Sequence, residues 1–588
     1  MDRLTGQIAV DPLSLAAPQG AVAAPGFWCA ADGAVVSARD GDRWRGCIGD
    51  AYASGDPGTN PSGGVLALLS RVGAGQDAAL ADLGGEYVVA CHDARTRRLL
   101  IATDHFGIQP LYYVVDGERL SFGTDLDWVS SQAPGGKRLC HQALYDYLFF
   151  SLVPNDRCIY EGVRKLPPAS VLIWQDGRCV IRRYWDPDFR RERANVPELG
   201  ERTVQAISAA VERRSRLPET GCFLSGGLDS STVSGMARRH AGPGVAAFTI
   251  GFDVPQFDER EFARISARHF AMTLHEKVIR SAEIGRCASR VIDAFAEPFG
   301  NPSAIPAYVC AEFAHDTGVR HMLAGDGGDE LFAGNERYQK QLLFEVYGRL
   351  PGWLRGGLVN PLAAVSARAP APLDKLASYV RQARTPLPDR FYSYNLLVHQ
   401  PPATVVAADF LAAIDPESPY RYARALYAAP ASGDVVDRMM YLDWTATLTD
   451  NDLPKVRVAC ELAGVRVRFP MLDPAVVRVS TEVPSEAKLN RAELRKFYKE
   501  SFASFLPPEV IRKRKHGFGV PVGIWVNQDA DLRERVRERL DALARRGIVR
   551  REITDDLLDL QAREHASFYG SLIWPLFALE EWLQSRGL

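Results

Sequence analysis

Two short glycine-rich stretches hold most of the chemistry open to this chain. One is Ser225-Gly226-Gly227-Leu228-Asp229-Ser230-Ser231, and the other is Gly325-Asp326-Gly327-Gly328-Asp329-Glu330-Leu331-Phe332-Ala333-Gly334. Glycines let a backbone approach a phosphate closely and adopt angles that other residues avoid. Serine hydroxyls and the free amides at a helix N-terminus donate to anions. A carboxylate is unsuited to touching phosphate directly, but Mg²⁺ between the two makes it useful. Three acidic groups in five residues, Asp326, Asp329 and Glu330, repel one another unless a cation or hydrogen bonds compensate. Opposite a phosphate-holding loop, Mg²⁺ is the natural partner. A helix-capping Ser/Gly turn and an acidic surface turn are the plain alternatives, one for each stretch; together the two stretches favour a Mg·nucleotide site. The pattern G-x-x-x-x-G-K-[ST] is absent, which excludes kinases and ATPases built on it.

The elements that must present these loops alternate. A helix over about 199–215 leads to a short apolar strand, Cys222-Phe223-Leu224, then the first loop, then a helix over about 230–240. A second strand runs Val245–Ile250, and a third, Met322-Leu323-Ala324, ends in the acidic loop. Such alternation indicates a parallel α/β sheet. From about 340 onward the pattern is mainly helical. Upstream, 1–185 is β-rich, with short apolar runs such as Tyr87–Cys91, Leu99–Ala102, Leu111–Val115 and Val171–Trp174, interrupted by helices near 64–72 and 141–150. Residues 186–198 are polar and aperiodic, the best linker. The expected domains are therefore 1–185 and 199–588.

Composition sets the outer limits. The 588 residues are 46% hydrophobic and 24% charged, ordinary values for a soluble globular protein of two to four domains. A formal net charge of -2 argues against a general electrostatic grip on nucleic acid. The ten cysteines are scattered singly, so no zinc ribbon or thioredoxin-type site is supported. They read as reduced thiols of a cytoplasmic protein. No run of about 18 apolar residues suggests a membrane span, and no signal peptide opens the chain.

The heptad at 225–231 resembles the pyrophosphate loop of the ATP-pyrophosphatase superfamily. The loop at 325–334 is similar to the second signature of the asparagine synthetase family. Thr249-Ile250-Gly251-Phe252, Glu297-Pro298-Phe299-Gly300-Asn301-Pro302-Ser303 and Lys515-His516-Gly517-Phe518-Gly519-Val520-Pro521 resemble further elements of that family. Leu83-Gly84-Gly85-Glu86-Tyr87, Asp104–Tyr113 and Lys165-Leu166-Pro167-Pro168-Ala169 match its glutaminase half. The resemblance implies an N-terminal Ntn-hydrolase-like (glutaminase-like) β-sandwich, followed by an ATP-pyrophosphatase α/β domain with a helical C-terminal extension. It implies that Leu224, Ser225, Gly226, Gly227, Asp229, Ser230, Ile250, Gly325 and Gly327 bind ATP or pyrophosphate, and that Asp229 and Asp329 hold Mg²⁺. Asp326 would stand near the reacting centre as a proton acceptor. Lys515 and either Arg495 or Lys496 would stabilise developing negative charge.

Three departures bear on the substrate. The glutaminase half of the family needs a cysteine directly after the initiator Met, and position 2 is Asp2. Aspartate cannot replace a thiolate in amide hydrolysis, so the first domain is expected to be inactive on glutamine. Thr5, exposed by processing, is the one substitute nucleophile in view. In the frame 455–473, the family's Asp and Glu become Arg457 and Arg466, which is expected either to disturb a pocket tuned for free aspartate or only to exchange structural ion pairs. At the family's late lysine stands Arg495, with Lys496 beside it. The expected activity is adenylation of a substrate carboxylate followed by amine attack. Relatives lacking the cysteine include β-lactam synthetases and lasso peptide cyclases, which implies a small-molecule or peptide substrate carrying both groups, with a precursor peptide and its processing protease as partners. Asparagine formation from aspartate and ammonia, and a non-catalytic scaffold, are the alternatives.

Overall fold

The computed structural model describes residues 2–9, 21–24, 26–32, 35–53, 61–189, 195–361, 374–393, 395–490, 493–514 and 519–588. Twelve strands build the N-terminal half: β1 (Arg3–Ala9), β2 (Val22–Ala24), β3 (Phe27–Asp32), β4 (Val35–Asp40), β5 (Arg43–Ala53), β6 (Leu83–Asp93), β7 (Arg98–Thr103), β8 (Tyr112–Asp116), β9 (Arg119–Gly123), β10 (Val163–Lys165), β11 (Ser170–Gln175) and β12 (Arg178–Arg183). They form two six-stranded antiparallel sheets, ordered β10-β8-β9-β1-β3-β2 and β12-β11-β7-β6-β5-β4. Alternation along the strands decides what lies between them. Leu4, Ile8, Val88, Ile101, Phe122, Leu172 and Trp174 share one core in the sandwich. The intervening residues of the second sheet, Tyr87, Val89, Leu100 and Ala102, pack instead with Val65, Leu69 and Val72 of the helix Pro61–Gly73.

The C-terminal half is organised by five parallel strands: β13 (Thr220–Phe223), β14 (Ala246–Phe252), β15 (Leu274–Ile279), β16 (His321–Leu323) and β17 (Arg466–Arg468), in the order β15-β14-β13-β16-β17. The order reverses after β15, and helices carry each crossover, as parallel pairing requires. Ligands of such sheets bind outside the carboxyl ends of the strands. Both glycine loops leave those ends from adjacent strands, since Cys222 of β13 pairs with Leu323 of β16. Strand β17 interrupts the region expected to be mainly helical; it lies within the alternating run Val465-Arg466-Val467-Arg468-Phe469.

The two halves share a core. Tyr147, Leu148 and Phe149 of the helix His141–Phe150 pack in the same cluster as Phe299, Trp525 and Trp574. Tyr147 Oη donates to the Pro575 carbonyl at 2.8 Å, and buried Lys165 pairs with Glu297 at 2.8 Å. The helices Ala530–Arg545, Arg551–Arg563 and Ala566–Ser585 close the C-terminal end around buried Trp574 and Trp582. Among the described residues no helix is long and apolar enough to cross a membrane.

Candidate active site

Leu224, buried at the end of β13, donates its N–H to the Phe248 carbonyl at 2.9 Å, and the backbone then turns. Gly226 makes the turn at φ +71, where a Cβ would lie 2.4 Å from the Phe262 carbonyl carbon. Only glycine combines that angle with that approach. Gly227 caps the helix Leu228–Ala241 without a side-chain hydrogen bond, so the helix start keeps donors for an anion. The loop holds its own shape: Ser225 N–H donates to Ser230 Oγ at 3.2 Å, and the two hydroxyls stand 3.0 Å apart.

The acidic loop presses on this one. A Cβ on Gly325 would lie 2.7 Å from the Ser230 nitrogen, and one on Gly328 would lie 2.0 Å from Asp229 Oδ1. Gly327, at φ +98, lets the chain pass Leu472. Asp229 and Asp329 are thereby brought to one locus. A cavity of about 570 Å³ opens there, lined by Leu224, Ser225, Gly227, Asp229, Ser230, Ile250, Gly325, Asp326 and Asp329, with Phe248, Phe257, Ser303 and Lys455. Its size suits a nucleotide-scale ligand. Gly226 and Gly327 shape the loops without facing the cavity.

Burial pushes the Asp326 carboxyl up to about 6, with Asp452 adding to the rise and Lys455 opposing it. Glu330 does something else. It is buried away from the cavity, and burial together with Asp329 and Asp452 pushes its carboxyl well above the usual range.

The cations fall into four places. Arg495 is buried, with Nη1 2.5 Å from Asp229 Oδ2 and 3.1 Å from Asp329 Oδ1, and Nη2 2.5 Å from Asp229 Oδ1. It lies over the Tyr498 ring at 4.1 Å and is not among the cavity-lining residues. Lys496 turns outward to Glu500 at 2.6 Å, so the structure does not bring it into the site. One residue along a helix start separates the two by roughly 100°. Lys515 lies outside the described residues. Its neighbour Lys513 pairs with Glu259 at 3.0 Å and stacks on Phe262, the residue Gly226 abuts, while Arg512 and Arg514 are exposed.

Lys455 was quoted in the sequence frame but given no role. Its Nζ lies 2.7 Å from Asp452, and it is the one lysine or arginine among the described residues that lines the cavity. Burial works against its charge, yet Asp452, Asp326 and Glu330 outweigh that and push it up. The sequence signal for it is its place at the head of the frame 455–473.

Those arginines do not touch the cavity. Arg457 pairs with Glu461 at 2.8 Å, and Arg466 pairs with Asp2 at 2.9 Å. Arg468 bonds Glu86 and Asp50, both at 2.9 Å. All three line a separate polar hollow of about 170 Å³ between the halves, together with Asp2, Asp50, Glu86 and Gln109. Of the two expectations for the substituted arginines, the structure shows ion pairing: Arg457 within its own helix, and Arg466 across the halves to Asp2. Two departures explain each other, since Asp2 and Arg466 form a single ion pair.

Asp2 and Thr5, the positions considered for a glutaminase nucleophile, are both engaged in the structure. Asp2 is held by Arg466. Thr5 sits inside β1, paired to Ala30 and Gly123, and freeing it would remove Leu4 from the core. Burial pushes the thiols of Cys29, Cys91, Cys222 and Cys310 up to about 12, so none is poised as a thiolate.

Comparison with known proteins agrees with this division. The family model Asparagine synthase matches residues 203–584, and the model Glutamine amidotransferase domain matches 62–185. Among relatives, "Asparagine synthetase [glutamine-hydrolyzing] 1" of Bacillus subtilis is 26% identical over 511 residues, covering 86% of this chain and 78% of that one. A Mycobacterium bovis chain that carries a glutamine-hydrolysing asparagine synthetase name is 26% identical over 471 residues, covering 76% and 68%. "Amidase chyE" of Penicillium rubens is 27% identical over 324 residues, covering 49% and 45%.

Proposed function

Because the chain belongs to the asparagine synthase family, whose members are ATP-using carbon–nitrogen ligases that release AMP and pyrophosphate, we propose that it adenylates a carboxylate and joins the acyl group to an amine that does not come from its own glutaminase-like domain. The observation carrying the first part is the apposition of the two glycine loops around one cavity, with Gly325 and Gly328 against Ser230 and Asp229. The Asp2–Arg466 pair carries the second.

A substrate carboxylate oxygen attacks the α-phosphorus in line as the bond to the β-bridging oxygen breaks. Charge on the departing pyrophosphate is received by the amides at the start of the helix Leu228–Ala241 and by the Ser225 and Ser230 hydroxyls. An amine then attacks the acyl carbon, loses a proton, and AMP leaves with its oxygen. Asp326, at the cavity wall with a carboxyl near 6, is suited to take that proton near neutral pH. Lys455 offers positive charge at the same wall. Asp229 and Asp329 would hold Mg²⁺, which neutralises phosphate charge when bound. Their fit to a cation is visible in the guanidinium they already share.

Two substrate classes meet these requirements. An amine carried on the substrate itself, as in macrolactam closure of a precursor peptide by a lasso cyclase or a related natural-product ligase, needs no ammonia source, and a lost nucleophile favours it. Aspartate with free ammonia is the second reading, and Arg457 and Arg466 favour it by lying outside the cavity in ion pairs of their own. Pyrophosphate release decides between them: aspartate plus ammonium is compared with peptides carrying an Asp or Glu side chain and a free N-terminus. Asp229→Ala is expected to abolish release with either, and full activity in that variant would remove the ATP-site assignment.

A further inference from the structure

The Arg495 guanidinium occupies the place between two carboxylates that a shared divalent ion requires, and we infer that Arg495 and the metal compete for Asp229 and Asp329, so that metal enters only together with phosphate. This rests on the ATP-site reading above and extends it to the order of binding.

Asp229 offers both its oxygens to the guanidinium at 2.5 Å, a bidentate pair that uses the in-plane acceptor positions of the carboxylate. The same Nη1 reaches Asp329 Oδ1 at 3.1 Å. Among the described residues these are the guanidinium's acceptors, and Nε is buried without one. The arginine is held in place from outside the cavity by Tyr498, and its backbone is left-handed at φ +57. Two carboxylates and one guanidinium leave a single net negative charge. That is little attraction for a divalent ion that gives up its water reluctantly and needs close, near-octahedral oxygen ligands. The phosphates of ATP, or free pyrophosphate, supply both the missing negative charge and the missing oxygens. With phosphate present, the carboxylates can exchange guanidinium for metal.

The test uses the full chain, Mn²⁺ as the probe, and electron paramagnetic resonance of free Mn²⁺ as the readout. Wild type is expected to bind Mn²⁺ weakly alone and at least tenfold more tightly with pyrophosphate. Arg495→Gln is expected to bind Mn²⁺ at least tenfold more tightly than wild type without pyrophosphate, and Arg495→Gln with Asp329→Asn is expected to lose that gain. Arg495→Lys keeps the charge but not the two-pronged geometry, and should fall between. If Arg495→Gln does not fold, the lysine variant and the wild-type pyrophosphate dependence carry the same comparison. Equal Mn²⁺ affinity in wild type and these variants without pyrophosphate overturns the inference, the pyrophosphate series being read against pyrophosphate and Mn²⁺ without protein. Failure of the ATP-site reading looks different: Asp229→Ala would still release pyrophosphate whatever the Mn²⁺ titrations show.

Discussion

In the N-terminal half, the stretch from Asp104 to Gln109 folds on itself: Asp104 accepts the N–H groups of Phe106, Ile108 and Gln109 at 2.9, 3.1 and 3.1 Å. In the C-terminal half, the stretch from Ser225 to Ser231 leaves the start of its helix uncapped by any side chain and aimed at a cavity. Both stretches match their family text well. One is satisfied by a side chain of its own, and the other leaves its helix start without a side-chain cap. The same contrast runs through the charged residues. Asp50, Glu86, Arg468 and Arg214 close on one another between the halves, while Asp326, Lys455 and Asp329 meet at a cavity wall. A retained motif therefore reports the fold it builds, and charged groups gathered at an opening are where chemistry is proposed.

The largest expected effect breaks the cavity side of that contrast. Asp326→Asn should lower amide formation by about 10²–10⁴-fold, the usual worth of a positioned proton acceptor, with a smaller effect on pyrophosphate release. In the parent protein, the amide-forming rate should fall about tenfold per pH unit below about 6, because protonation removes the base. Rates measured from pH 5 to 8 check both, and a flat profile in the parent would take Asp326 out of this role. Next comes Gly328→Ala. Its Cβ would stand 2.0 Å from Asp229 Oδ1, so the loops must part. A loss of about 100-fold in pyrophosphate release, or about 2.7 kcal/mol of transition-state stabilisation, is expected.

The inter-domain side should break differently. Arg468→Met leaves Glu86 buried without its partner, and removing one member of a buried pair costs roughly 3–5 kcal/mol. Chemical denaturation should show the loss, and glutamate release from glutamine should be absent before and after. Release of glutamate by the parent protein would overturn the reading of this half as a packed, inactive partner.

How much of this was legible in residues alone follows the same division. The loops at 225–231 and 325–334 were readable because glycine, serine and aspartate at those spacings have few other uses between a strand and a helix. Lys455 gave little notice, since its role depends on Asp326, 129 positions earlier in the chain, and on a sheet edge that three residues create. Arg466 was left between a pocket change and an ion-pair exchange for the same reason: only the fold brings it to Asp2. The sequence shows the charge of Glu330 but not the direction of its side chain, which is buried away from the cavity. Arg495 is the left-handed residue that precedes the helix Lys496–Ser501, and that turn separates its side chain from that of Lys496.

The smallest expected effect is the sharpest check on that last separation. Lys496 is an exposed residue paired with Glu500 four positions on, and such pairs contribute about 0.3–0.5 kcal/mol. Lys496→Ala should therefore change stability by no more than that and leave pyrophosphate release within about twofold, whereas Arg495→Ala removes the cation that both loop carboxylates share. If the two positions were interchangeable sources of charge, the alanine variants would lose activity to similar degrees, and each would be rescued by raising Mg²⁺. If the burial of Arg495 decides its role, only its variant should change in metal dependence, while Lys496→Ala follows the parent curve at every concentration. A large loss at Lys496 would mean that the helix Lys496–Ser501 turns when substrate binds, and would move the late cation of the family back to a choice between two residues.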